Sequence, residues 1–236
     1  GHVIFYQPEL FKQDFWSVFL PIQTKPEFKF TGFSGLASHG ATIALIFTTL
    51  YYSYKIIRKN PFWVYDRIGI VVALGGALVR IGNFFNSEII GKETTSSFGI
   101  RFLRDQFSPR DVVNATGITN TNEAYTAIAT DPKFANLLAQ VPAKHPTQLY
   151  EAFCYIFVFA ILFFLYWKTE ARKKSGFLFG LFLVLLFTVR IIVESVKESQ
   201  GGFESELGNI LSTGQWLSIP FILIGLFFVF RAKKEA

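Results

Sequence analysis

Long apolar runs alternate with short polar connections along this chain. Five of the runs approach the ~20 residues that an α-helix needs to cross a bilayer. They extend from His39 to Ile57, Trp63 to Phe84, Pro146 to Trp167, Gly176 to Val196 and Gly214 to Phe230. Charges are scarce inside them and lie near their ends. The pattern predicts an all-α polytopic membrane protein with five transmembrane helices in this chain, two within 39–85 and three within 146–236.

The remaining segments read differently. Residues 1–38 form an external or interfacial arm. Within it Phe11, Phe15, Trp16, Phe19 and Leu20 share one helical face, with Lys12, Gln13 and Asp14 off it. Such a helix either lies in the membrane interface or packs against the spans. The segment 86–145 is too long and polar for a simple turn and predicts a small external α/β head. In that head Phe98 to Phe102 suggests a short strand, and Thr121 to Val141 a helix.

Composition supports the membrane assignment. Of 236 residues, 51% are hydrophobic and only 17% charged, against about a quarter in ordinary soluble domains. The net charge of +6 does not describe a nucleic-acid surface, because the basic residues cluster beside apolar runs instead of lining one polar face. Lys55, Arg58 and Lys59 follow the first run. Lys168, Arg172, Lys173 and Lys174 follow the third, and Arg231, Lys233 and Lys234 the fifth. Alternation puts these three connections on one side, which the positive-inside rule makes cytoplasmic. The C-terminus is then cytoplasmic, and 1–38, 86–145 and 197–213 face outward. The lone cysteine, Cys154, cannot form an internal disulfide and reads as a packing residue.

With that orientation, polar residues of all five spans fall at one outer depth. They are His39; Arg80 and Asn83; His145, Gln148 and Glu151; Arg190 and Glu194; and Gln215. Ionisable groups inside a membrane are costly, so their gathering at one depth points to a shared polar site. Two arginines suit a phosphate, and an imidazole takes a proton near neutral pH. The residues therefore suggest a site for an anionic lipid or phosphate ester. Each has a plainer alternative. Arg190 and Glu194, four apart, could be an ion pair within one helix, His39 a helix cap and His145 a support for the head. Arg80 has no acid at i±3 or i±4 to pair with.

These residues also carry a family resemblance. Arg80-Ile-Gly-Asn-Phe-Phe-Asn-Ser-Glu-Ile-Ile-Gly91 resembles the G-R-x-G-N-F-x-N-x-E-x-x-G signature of prolipoprotein diacylglyceryl transferases, with Val79 and Ser87 in place of glycines. Ser38-His39-Gly40 is similar to the family's histidine–glycine motif, and His145-Pro-Thr-Gln-Leu-Tyr-Glu151 to its H-P-[ST]-Q-L-Y-E run. Arg190-Ile-Ile-Val-Glu194 fits R-x-x-x-E, with Lys197 where arginine is common, and Gly214 to Pro220 resembles the last helix.

The resemblance implies transfer of a diacylglyceryl group from phosphatidylglycerol to the lipobox cysteine of a prolipoprotein signal peptide, in the bacterial cytoplasmic (inner) membrane. It implies neither metal nor cofactor. His39, Arg80 and Arg190 become the expected catalytic residues. Asn83, Asn86, Glu88, Gly91, Glu194, Tyr6, Gln148 and Glu151 become the expected substrate-binding residues. The family has seven spans, so two are expected ahead of Gly1, with Gly1–Tyr6 resembling the end of the second. A transporter of an anionic lipid, or a non-catalytic lipid binder, would use the same arginines without breaking the phosphate ester.

Overall fold

A computed structural model describes residues 22–23, 28–30, 38–198 and 211–232. Tyr6, the amphipathic stretch 8–21 and the end of the last basic cluster lie outside them. The chain divides into two units, Gly1–Val64 and Tyr65–Ala236, each taken by itself below.

In the first unit, β1 (Ile22–Gln23) and β2 (Lys29–Phe30) pair antiparallel, with Ile22 opposite Phe30. Helix α1 (Ser38–Tyr51) then runs into a π-helical segment, Tyr52–Ile57. Together they occupy the first predicted span, although Thr42–Ile57 counts only as a shorter apolar helix. The segment ends at Arg58 in the left-handed region, φ 52°. Asn60 then accepts from the Phe62 amide at 3.0 Å, and Pro61 opens the next helix, where the missing N–H costs nothing.

Among the described residues, four helices are long and apolar enough to cross a membrane: α2 (Pro61–Phe85) and, further on, Thr147–Lys168, Phe177–Glu194 and Thr213–Arg231. Their ends fall within two residues of those expected from hydropathy. Between them lies the head: β3 (Ile100–Arg101), α3 (Leu103–Gln106), α4 (Pro109–Thr116), α5 (Thr121–Thr130), α6 (Ala135–Ala139) and β4 (Ala143–Lys144). The expected strand shrinks to β3, which pairs antiparallel with β4. The expected single helix from Thr121 to Val141 is broken. It stops at Asp131, whose carboxylate caps a 3₁₀ turn, Pro132–Phe134, before α6 begins. Pro132 cannot continue the helix, because it lacks an amide hydrogen and its ring meets the preceding turn. A small core of Val112, Ala124, Tyr125 and Ile128 holds the head together.

The last three helices are α7 (Thr147–Lys168), α8 (Phe177–Glu194) and α9 (Thr213–Arg231). Ile70 and Ala73 of α2, Val158 and Leu162 of α7, and Leu178, Phe182 and Leu183 of α8 form the core among them. Helices α8 and α9 cross where Gly180 meets Gly225. A Cβ on Gly180 would stand 2.6 Å from the Gly225 carbonyl oxygen, so only glycine permits the contact. The outward faces keep Val71, Leu78, Phe153, Phe164, Leu223 and Phe227 exposed, an apolar surface suited to lipid.

At the α8 N-terminus the structure shows something the sequence analysis missed. Gly176, in the left-handed region at φ 85°, has no side chain to cap the helix. Asp66 of α2 supplies one, accepting from the amides of Gly176 and Phe179, both at 2.8 Å. Its position three residues past the start of the predicted span made it look like an ordinary boundary charge.

Candidate active site

At the opposite end of these four helices, Arg80 lies one turn before the end of α2. It reaches across to α7, where its Nε is 2.5 Å from Glu151 Oε2. The Glu151 carboxylate is only 1% exposed, so burial without this partner would be strongly unfavourable. The sequence offered Arg80 no acid on its own helix, and the tertiary structure supplies one from the next. Tyr155, one turn further along α7, is buried and sits within electrostatic reach of Glu151, Arg80 and Arg190. It was not among the expected site residues. Its signal was present, because positions 148, 151 and 155 share one helical face.

Arg190 thus approaches the same group from α8, but it does not pair with Glu194. Among the described residues that carboxylate receives Lys197 Nζ at 3.4 Å, with both side chains buried. The ion pair considered between Arg190 and Glu194 is therefore replaced by one between Glu194 and Lys197. The Glu194 carboxyl also lies against the start of α9, where a Cβ on Gly214 would stand 2.6 Å from it. Negative charge at a helix N-terminus is favourable. Nearby, Gln215 Nε2 donates to the Ile191 carbonyl at 3.1 Å, tying α9 to α8.

Beyond α2 the chain forms a strap. Ser87 and Ile89 adopt φ of 56° and 57°, a left-handed conformation that costs about 1–2 kcal/mol for residues other than glycine and is rarest for a β-branched one. The neighbours hold them there. Gln148 Nε2 donates to the Glu88 carbonyl at 2.6 Å, and Thr147 Oγ1 to the Ile89 carbonyl at 3.1 Å. The Gly91 amide donates to the His145 carbonyl at 2.9 Å, the Lys92 amide to the Val196 carbonyl at 2.9 Å and the Glu198 amide to the Ile90 carbonyl at 3.2 Å. Gly91 has no room for a side chain, since a Cβ would come within 2.7 Å of His145 and Thr147. The strap carries Glu88 back to Asn83, whose Nδ2 donates to its carboxylate at 3.1 Å. Asn86 is exposed on the same turn.

The head is fastened to this end by charge. Lys144 on β4 donates to Asp105 and Glu198, each at 2.8 Å. Desolvation pulls its ammonium pKa down, but the two carboxylates outweigh that and hold it above the usual lysine value.

Of the expected site residues, the structure brings Arg80, Asn83, Glu88, Gln148, Glu151 and Arg190 together. Gly91 and Glu194 act on the strap and the α9 terminus beside them. His39 stands in the first turn of α1, in the other unit.

The fold and this cluster define a multi-pass helical membrane protein with two arginines and several buried acceptors at one end of its spans. The profile of the prolipoprotein diacylglyceryl transferase family matches residues 1–231, and the chain belongs to that family. It is 37% identical to the phosphatidylglycerol–prolipoprotein diacylglyceryl transferase of Bacteroides fragilis, over 100% of this chain and 72% of that protein. Identity to the Porphyromonas gingivalis protein of the same name is 36%, again over 100% and 72%. For the one from Tolumonas auensis it is 34%, over 100% and 73%.

Proposed function

We propose that this protein transfers a diacylglyceryl group from phosphatidylglycerol to the lipobox cysteine of prolipoproteins. The family match along residues 1–231 carries that reading. The attacking sulfur comes from the substrate, so the enzyme needs no nucleophile of its own. The thiolate displaces the phosphate ester oxygen at the glycerol carbon. A thioether C–S bond forms, the C–O bond breaks, and glycerol phosphate leaves with the electron pair. The enzyme must take up the thiol proton and stabilise the departing charge.

Arg80 and Arg190 clamp the phosphate. Both act electrostatically on Tyr155 from different helices, which supports a shared anion site. Asn83, Asn86 and Glu88 fix the headgroup from the strap, which Gly91 lets pass close to His145. Glu194 sets α9 beside Arg190, while Gln148 and Glu151 complete the wall. His39 receives the thiol proton, and Tyr6 contributes to the lipid site. These last two roles rest on the sequence resemblance. The three basic clusters support placing the site toward the outer leaflet of the bacterial cytoplasmic membrane, with the C-terminus cytoplasmic.

The test combines purified protein, phosphatidylglycerol and a peptide bearing a lipobox cysteine. Glycerol phosphate release matched by lipidation of the peptide is expected. Lipid binding or flux without cleavage of the ester would replace the enzyme reading with a transporter or binder. His39→Gln should flatten the acidic limb of the pH–rate profile; an unchanged limb would remove His39 as the base.

A further inference from the structure

Among the described residues of 86–145, Phe98 is the one large apolar side chain left exposed, at 75%. A single exposed ring is ordinary on a protein surface, but this one is held in place and adjoins an apolar surface. The turn that carries it is closed by its own hydrogen bonds. The Ser96 amide donates to Thr94 Oγ1 at 3.1 Å, the Phe98 amide to Ser96 Oγ at 3.3 Å and the Gly99 amide to the Ser96 carbonyl at 2.9 Å. Gly99 packs tightly beneath, where a Cβ would stand 2.9 Å from Thr94 Cγ2.

Both feet of this turn rest on the ends of the spans. On one side the Lys92 amide donates to the Val196 carbonyl, just past α8, and the Thr94 amide to the Ala143 carbonyl on β4, which leads into α7. On the other side the Phe102 ring meets Phe84 in the last turn of α2, with centroids 6.0 Å apart. Phe84 in turn meets Phe85, which is exposed. Val71, Leu78 and Phe85 are seven residues apart, so they share one stripe of α2, and all three are exposed. The lipid-facing surface of α2 therefore runs to its last residue. From there Phe84 and Phe102 carry apolar rings on to the segment that bears Phe98. The four residues before that ring, Thr94 to Ser97, have no charge that would oppose partial burial.

We propose that the bilayer surface is the partner of these rings. Phe85 and Phe98 enter the headgroup–acyl boundary at the end of the spans that holds Arg80, and Phe98 seats the head on the membrane. Aromatic side chains gather at that boundary, where an apolar face sinks about 5–10 Å below the surface. The two residues flank the strap in sequence, so the membrane holds both of its ends.

The experiment uses the full chain in phospholipid nanodiscs, with Cys154→Ala removing the lone cysteine. A small bimane fluorophore is attached at Phe98→Cys, at Leu78→Cys as the lipid-facing reference or at Lys133→Cys as the reference on the head. Each sample is quenched by iodide in the buffer and by a nitroxide near the top of the lipid acyl chain. Variants enter the comparison when their melting in detergent matches that of the original protein. Should Phe98→Cys fail there, Ser97→Cys carries the label at the adjoining position of the same turn. The ratio of lipid-borne to iodide quenching at position 98 should exceed that at 133 several-fold and approach that at 78. Equal ratios at 98 and 133 would put the ring in water and overturn the proposal.

Discussion

Asp66 and Glu151 are carboxylates on apolar helices, 2% and 1% exposed, and they sit at opposite ends of the same unit. Both oxygens of Asp66 are taken by backbone amides at the start of α8. Glu151 has one oxygen on Arg80 and, among the described residues, one without a partner. A fully satisfied buried carboxylate is a joint between helices. A half-satisfied one, paired with Arg80 and among other open acceptors, keeps capacity for a ligand, as the proposed lipid site requires. The difference separates structural from functional polarity where burial alone would not.

Removing Arg80 should break the functional end most severely. With Arg80→Ala, diacylglyceryl transfer should fall ~100- to 1,000-fold, the usual result of deleting a donor to a developing negative charge. Correct insertion is checked by size-exclusion chromatography in detergent. Near-normal turnover would end the phosphate-clamp role.

The structural end should respond in the opposite sense. Asp66→Ala leaves the Gly176 and Phe179 amides without their acceptor and should cost about 3 kcal/mol of stability. Thermal unfolding in detergent should show the loss, while kcat measured well below the transition stays close to its original value. A variant with normal stability and no activity would reverse the comparison.

The smallest effect concerns the head. The Lys144 pKa is raised in the folded protein. Its stabilising contribution is therefore complete below the ordinary lysine value and fades as pH rises through the raised one. Melting curves followed from about pH 8 to pH 12 should fall more steeply for the original protein than for Lys144→Met. Parallel curves would mean that the Asp105–Lys144–Glu198 contact contributes nothing.

The spans were legible because hydropathy is a local property: a run of apolar residues declares itself whatever it packs against. The arginines and Glu151 were legible as candidates for a related reason, since an ionisable group in such a run has few structural excuses. Pro132 was equally plain in the sequence, yet the expected helix ran through it. There the apolar spacing outweighed a breaker that the backbone could not ignore.

What the sequence determined by itself was the set of membrane helices, the family and the residue types gathered near one end. Partnership was decided by the tertiary structure. Arg80 meets Glu151 across 71 positions of chain, Glu194 turns to Lys197 instead of Arg190, and Asp66 caps a helix 110 positions away. Among the described residues, the same fold leaves Asn83, Gln148 and Glu151 each with one open oxygen. Such choices depend on which helices lie side by side and how far each side chain reaches. A linear pattern of hydropathy and charge supplies the candidates for pairing, but only packing brings two of them within hydrogen-bond distance.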